Sequence, residues 1–259
     1  MSAMFKLESK GTAPAIVFVH GFCQSSAYWA PTLDQVARRG VHGIAVDLPG
    51  FGASAALAGP YTMAGLADAL ARQLTDWGIG RIVLVGGSMG GVVAQHFVLR
   101  HPERVMRLLL VATGGFTANE ALALEKADAM SAAPWTEDAI APVVDGFFLQ
   151  KPAPDRVADF RKIALSAAKA AAVEAARSNG TNRTFDQLAL IRVPTLIIQG
   201  RHDRARTPEH GAAMQERIAG STLVVIEDAG HTPQLEQPER FHDAALPFLL
   251  AGHQGSQAT

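Results

Sequence analysis

Gly86-Gly87-Ser88-Met89-Gly90 follows the apolar run Arg81-Ile-Val-Leu-Val85 and precedes Gly91-Val-Val-Ala-Gln-His-Phe-Val-Leu99, which reads as a helix. A strand, a sharp turn and a helix in that order constrain the chain strongly. The turn must hold its central residue in a strained backbone conformation, and only glycine neighbours leave room for that. It carries Ser88 clear of the sheet edge at the start of a helix, whose free N–H groups can face a developing oxyanion. The sequence thus predicts a nucleophilic serine. A chain with 24 Gly among 259 residues also generates Gly-x-Ser-x-Gly by composition, so the competing reading is a glycine-rich turn without chemistry.

Further segments favour the nucleophile. Ala15-Ile-Val-Phe-Val19 reads as a buried strand ending at His20-Gly21-Phe22, where Gly21 permits a turn and the Phe22 N–H can point into a site. Pro194-Thr-Leu-Ile-Ile-Gln199 is another strand, and Gly200-Arg-His-Asp203 places a carboxylate just beyond its end. Leu223-Val-Val-Ile226, followed by Gly230-His231, brings an imidazole after the next strand. Ser88, Asp203 and His231 are therefore the expected nucleophile, acid and base. His231 would accept the proton of Ser88, Asp203 would hold the imidazole tautomer, and the N–H groups of Phe22 and Met89 would form the oxyanion hole. The rival for Asp203 is a surface pair with Arg201 or Arg204. Asp47 and Asp228 read as turn-shaping residues, and His20 as a brace for its loop. His202, His210 and His231 lack metal-ligand spacing, so no metal and no other cofactor is expected.

Strands at 15–19, 43–46, 81–85 and 107–111 alternate with helical segments such as 63–74, and strands resume at 194–199 and 223–226 before a closing helix near 238–250. This rhythm predicts an α/β fold with a mostly parallel, doubly wound sheet. Between them the rhythm stops. Residues 116–185 are rich in Ala, punctuated by Pro134, Pro142, Pro152 and Pro154, and read as an inserted helical cap. Within it, Asp155 would cap one helix running through Phe160 and Ala167 to Asn179-Gly180. The expected division is a core over 1–115 and 186–250, a cap over 116–185 and a disordered tail over 251–259.

Five segments together resemble the α/β-hydrolase fold superfamily: His20-Gly21-Phe22, residues 47–54, Gly86 to Gly91, Gly200 to Asp203, and Gly230-His231 followed by Pro233 and Glu236-Gln-Pro238. The resemblance covers nearly the whole chain. It implies a serine hydrolase that cleaves a small apolar or aromatic carboxylic ester or lactone through an acyl-enzyme. Residues 59–62 and 207–211 are similar to segments of 3-oxoadipate enol-lactonases. Residues 200–204, 210–211 and 113–115 are similar to carbon–carbon bond hydrolases of meta-cleavage products, which is the alternative. Those hydrolases usually carry a Gly-rich oxyanion loop and a Trp directly after the catalytic His, where this chain has Gly21-Phe22-Cys23-Gln24 and Thr232. Small-molecule receptors and cofactor-free dioxygenases on the same fold form a further class. Phe22, Trp29, Trp135, Phe147 and Phe148 are the expected substrate-binding residues, with core packing as the competing role for each.

A net charge of −1 gives no electrostatic draw toward nucleic acid or an anionic membrane, so a small-molecule substrate is the expected partner. A homo-oligomer stays open. Hydrophobic content of 48% supports a large interior, and the single Cys23 cannot form an internal disulfide. No signal pattern or long apolar stretch is present, so a cytoplasmic protein is expected.

Overall fold

The computed structural model describes residues 3–117 and 119–253. Short apolar runs make seven strands: β1 (Lys6–Ser9), β2 (Thr12–Val19), β3 (Val41–Val46), β4 (Ile82–Gly87), β5 (Val105–Val111), β6 (Thr195–Gly200) and β7 (Thr222–Ile226). They form one sheet in the order β1-β3-β2-β4-β5-β6-β7, with β1 antiparallel to β3 and every other pair parallel. Parallel strands need crossover connections, and the helices that supply them cover both faces. β4 is accordingly buried along its whole length.

Alternate side chains divide between two cores, as a period of two requires. Val17, Val19, Ile44, Leu84 and Leu110 face one core with α2 (Met63–Asp76), α3 (Met89–Arg100) and α8 (Pro208–Arg217). Ile16, Phe18, Ala45, Val85 and Leu109 face the other with α1 (Ala30–Ala37) and α10 (Pro238–Leu250). Because β4, β6 and β7 run parallel, the loops after them emerge on one edge of the sheet.

Between β5 and β6 the chain forms α4 (Glu120–Ala132), α5 (Glu137–Asp145), α6 (Pro154–Ser166) and α7 (Lys169–Gly180). The single helix expected from Asp155 to Gly180 is two. Ala167 and Ala168 turn extended, with ψ 138 and 124, and the Ala168 N–H donates instead to Gly50 O at 2.9 Å. Nor is Asp155 the cap: Ala153 occupies that position, Pro154 opens the helix and Asp155 sits in its first turn. Tyr61 N–H donates to Glu174 Oε1 and Met63 N–H to Ser178 Oγ, both at 2.9 Å, so α7 is tied to the start of α2.

β1 is not among the strands expected from the sequence, because Lys-Leu-Glu-Ser carries no apolar run; Lys6, Leu7 and Ser9 are half-buried and Glu8 is exposed. Of the expected tail, residues 254–259 lie outside the described residues, while the His253 ring donates to Pro14 O at 2.8 Å. Among the described residues no helix is long and apolar enough to cross a membrane.

Candidate active site

Ser88 sits between β4 and α3 with φ 51 and ψ −117, a region that side-chain-bearing residues seldom adopt. Its surroundings hold it there. Its N–H donates to Val111 O at 2.8 Å, and its carbonyl accepts the Gly91 N–H at 3.0 Å and the Thr113 hydroxyl at 2.7 Å. A Cβ on Gly86 would overlap the Gly90 carbonyl, and one on Gly90 would overlap the carbonyls of Val19 and His20. The glycines are thus needed for the close approach of backbone to backbone.

The structure brings Ser88, His231 and Asp203 into one hydrogen-bonded chain. Ser88 Oγ is 2.8 Å from His231 Nε2, and His231 Nδ1 is 2.7 Å from Asp203 Oδ2. The carboxylate can only accept, so Nδ1 carries the proton and Nε2 is left to receive that of Ser88. Asp203 Oδ1 accepts the N–H groups of Ala205 at 2.8 Å and Arg206 at 2.9 Å, which orients the carboxylate from its other side. Asp203 is 3% exposed and His231 7%. The rival surface pair does not form: Arg201 binds Glu227 at 2.7 Å, and among the described residues Asp203 is paired with His231 and not with Arg204. The Arg206 guanidinium lies near Asp203; burial pushes its pKa down, and the carboxylate only partly opposes this.

Gly21 lies against Ser88, where an added Cβ would stand 3.4 Å from Ser88 Cβ. Behind it, His20 is fully buried, with Nε2 accepting the Leu48 N–H at 3.1 Å and Nδ1 donating to Gly21 O at 2.8 Å. Burial holds its pKa below the ordinary histidine value, with Asp47 and the Gly21 carbonyl opposing. Asp47 accepts Ser26 N–H at 2.5 Å and Ala53 N–H at 2.7 Å, tying two loops together. Among the described residues, the N–H groups of Phe22 and Met89 donate to nothing; Met89 opens α3 and has no acceptor within the helix. Cys23, adjacent to Phe22, is buried and its thiol pKa is pushed up by desolvation, so it is held as an inert thiol.

The expected substrate-contacting residues separate into three groups. The Phe147 ring lies nearly parallel to the His231 imidazole, 25° apart with centroids at 6.3 Å. Phe148 borders a cavity of about 110 Å³ that also touches Gly230 and His231, and it packs on Phe160. Phe22 is half-buried against the same core cluster that holds Phe147. Trp135 lines a groove of about 580 Å³ with Met130, Ile140 and Val143, which shares no lining residue with the cavity beside His231.

Trp29 requires a correction. It is fully buried, packs among Phe18, Tyr28 and Phe241, and donates its indole N–H to Val19 O at 2.9 Å. It is a core residue under the β4 turn, not a substrate contact. Thr113 and Glu236 were assigned no role from the sequence, although Glu236 stands in one of the family-like segments; their partners are set only by the fold. Among the described residues no three His, Cys, Asp or Glu side chains are grouped to hold a metal ion.

A model of the alpha/beta hydrolase family matches residues 16–244. The 2-hydroxy-6-oxononadienedioate/2-hydroxy-6-oxononatrienedioate hydrolase of Klebsiella pneumoniae subsp. pneumoniae is 29% identical, over 90% of this chain and 86% of its own. The enol-lactonase from Burkholderia xenovorans LB400 superposes with a TM-score of 0.87 at 25% identity, covering 95% of this chain and 96% of its own. A thermophilic esterase from Thermogutta terrifontis gives a TM-score of 0.86 at 29% identity, covering 97% and 94%. With the match spanning the sheet from β2 into α10, the chain belongs to the alpha/beta hydrolase family.

Proposed function

We propose that the protein is a serine hydrolase that cleaves a small apolar or aromatic carboxylic ester or lactone through an acyl-enzyme. The observation that carries this reading is the continuous chain from Ser88 Oγ through His231 to the buried Asp203. Ser88 attacks the carbonyl while His231 Nε2 takes its proton; His231 then returns a proton to the leaving group. Asp203 stabilises the transient imidazolium and keeps the ring in the attacking tautomer. The free N–H groups of Phe22 and Met89 receive the tetrahedral oxyanion, and losing one such donor costs about 3 kcal/mol of activation energy in comparable sites. Water then repeats the sequence on the acyl-enzyme.

Residues 116–185 act as a cap, with Phe147 and Phe148 as an apolar wall beside His231. The likeness to an enol-lactonase and to a thermophilic esterase supports the ester or lactone reading. The Klebsiella relative supports a second reading, carbon–carbon bond hydrolysis of a vinylogous diketone acid. A panel of p-nitrophenyl acetate, butyrate and decanoate, an enol-lactone and such a diketone acid decides between them. Fastest turnover of an ester or lactone supports the first reading; turnover confined to the diketone acid replaces it with the second.

A further inference from the structure

Glu236 ends the short helix α9 (Pro233–Glu236), and its carboxylate turns back into the loop that carries His231. Oε1 accepts the N–H groups of Gly230 and Thr232, each at 3.0 Å, the two residues that flank His231 in the chain. The Thr232 hydroxyl lies within hydrogen-bond reach of both Glu236 Oε1, at 3.0 Å, and Phe147 O, at 3.1 Å. Oε2 accepts the Leu149 N–H at 2.6 Å, from the segment between α5 and α6. One side chain therefore joins two stretches that are remote from each other in sequence, 147–149 and 230–232. The fit is close: a Cβ on Gly230 would stand 2.8 Å from Leu149 N and 3.3 Å from Glu236 Oε1.

A carboxylate suits this place because it offers two acceptor oxygens and no donor, whereas an amide would turn an NH2 toward one of these N–H groups. Asp203 fixes His231 through a single ring nitrogen and leaves the backbone beside a glycine to be held by something else. We propose that Glu236 is a positioning residue: it fixes the backbone on both sides of His231 and locks segment 147–149 onto that loop. The base and the aromatic wall next to it are thereby set by one side chain. Among the described residues no hydrogen bond joins Glu236 to Ser88, and it acts on the reaction through the loop that carries His231. The inference rests on the reading of His231 as the general base.

The test combines backbone amide exchange with steady-state kinetics on p-nitrophenyl acetate, normalised to folded protein, for Glu236→Gln and Glu236→Ala. In Glu236→Gln the remaining oxygen can serve Gly230 and Thr232 while the NH2 faces Leu149, so exchange accelerates mainly at 147–149. In Glu236→Ala exchange accelerates at 147–149 and 230–232 together. Its kcat falls roughly 10- to 100-fold, the scale of a base displaced by a fraction of an ångström to an ångström. KM stays within about threefold, because the loss lies in the transition state.

A folded Glu236→Ala enzyme with a lower melting temperature but wild-type kcat overturns the proposal, since the residue would then be only a structural brace. Should Glu236→Ala not fold, unchanged protection at 147–149 in Glu236→Gln overturns it instead. If the wild-type protein hydrolyses no ester, the functional reading fails, and the exchange pattern still decides whether the clamp exists.

Discussion

The Thr113 hydroxyl donates a 2.7 Å hydrogen bond to the carbonyl of Ser88, and the Thr113 carbonyl accepts Gln199 Nε2 at 2.8 Å. Thr113 thereby ties the turn after β4 to the ends of β5 and β6. Thr113→Val keeps the shape and removes the donor, and it should lower stability by about 1 kcal/mol, the net worth of one such bond. Urea unfolding measures this, and Thr113→Ser should recover most of the loss. A wild-type midpoint for Thr113→Val would show that the bond does not support the strained turn.

Trp29 and Phe147 should behave oppositely. Trp29→Phe deletes the indole donor to Val19 O and part of a packed ring, so it should cost about 1–3 kcal/mol of stability. Its preference among acetate, butyrate and decanoate esters should match the wild type. A changed preference would return Trp29 to the substrate pocket.

Phe147→Ala removes the ring beside His231 and should change kcat/KM for the preferred acyl chain by about tenfold, the scale of one lost apolar contact. Labelling by a small fluorophosphonate should change far less. Identical losses for short and long esters would place Phe147 in support of His231 alone, away from the substrate.

Burial sets a pH dependence. His20, His96, His210 and His242 all have pKa values held below the ordinary 6.5, chiefly by desolvation. For a group whose folded pKa is depressed, the unfolded chain binds more protons once the pH falls below the unfolded value. Their stabilisation is therefore complete above about 6.5 and is lost progressively as pH falls toward the depressed folded values. Unfolding midpoints at pH 7.5 and 5.5 should show this loss. His20→Gln, which offers a donor and an acceptor but does not titrate, should lose less over the same interval. An equal loss would remove His20 from the account.

What could be read from the sequence was local. Ser88, Asp203 and His231 each follow an apolar run that ends at a glycine-containing turn, so strand ends marked them before any contact was known. The parallel sheet followed from the alternation of such runs with helices. β1 escaped because a four-residue edge strand with Lys and Glu has no apolar signature. The break at Ala167 escaped because alanine favours helix, and only the Gly50 carbonyl, more than a hundred residues away, draws Ala168 out of it. Trp29 was misplaced because aromatic composition does not say which face of the sheet a side chain meets. Glu236 carried no visible role because its partners, 147–149 and 230–232, meet only in the fold.

Intact-protein mass spectrometry after brief exposure to a fluorophosphonate tests the nucleophile most directly. The wild-type protein should gain one adduct, localised to Ser88, and lose its esterase activity in proportion. Folded Ser88→Ala should gain none and turn over no ester, and His231→Ala should label only slowly because Ser88 then lacks its base. An adduct on another residue, or ester turnover retained by folded Ser88→Ala, would contradict the acyl-enzyme mechanism.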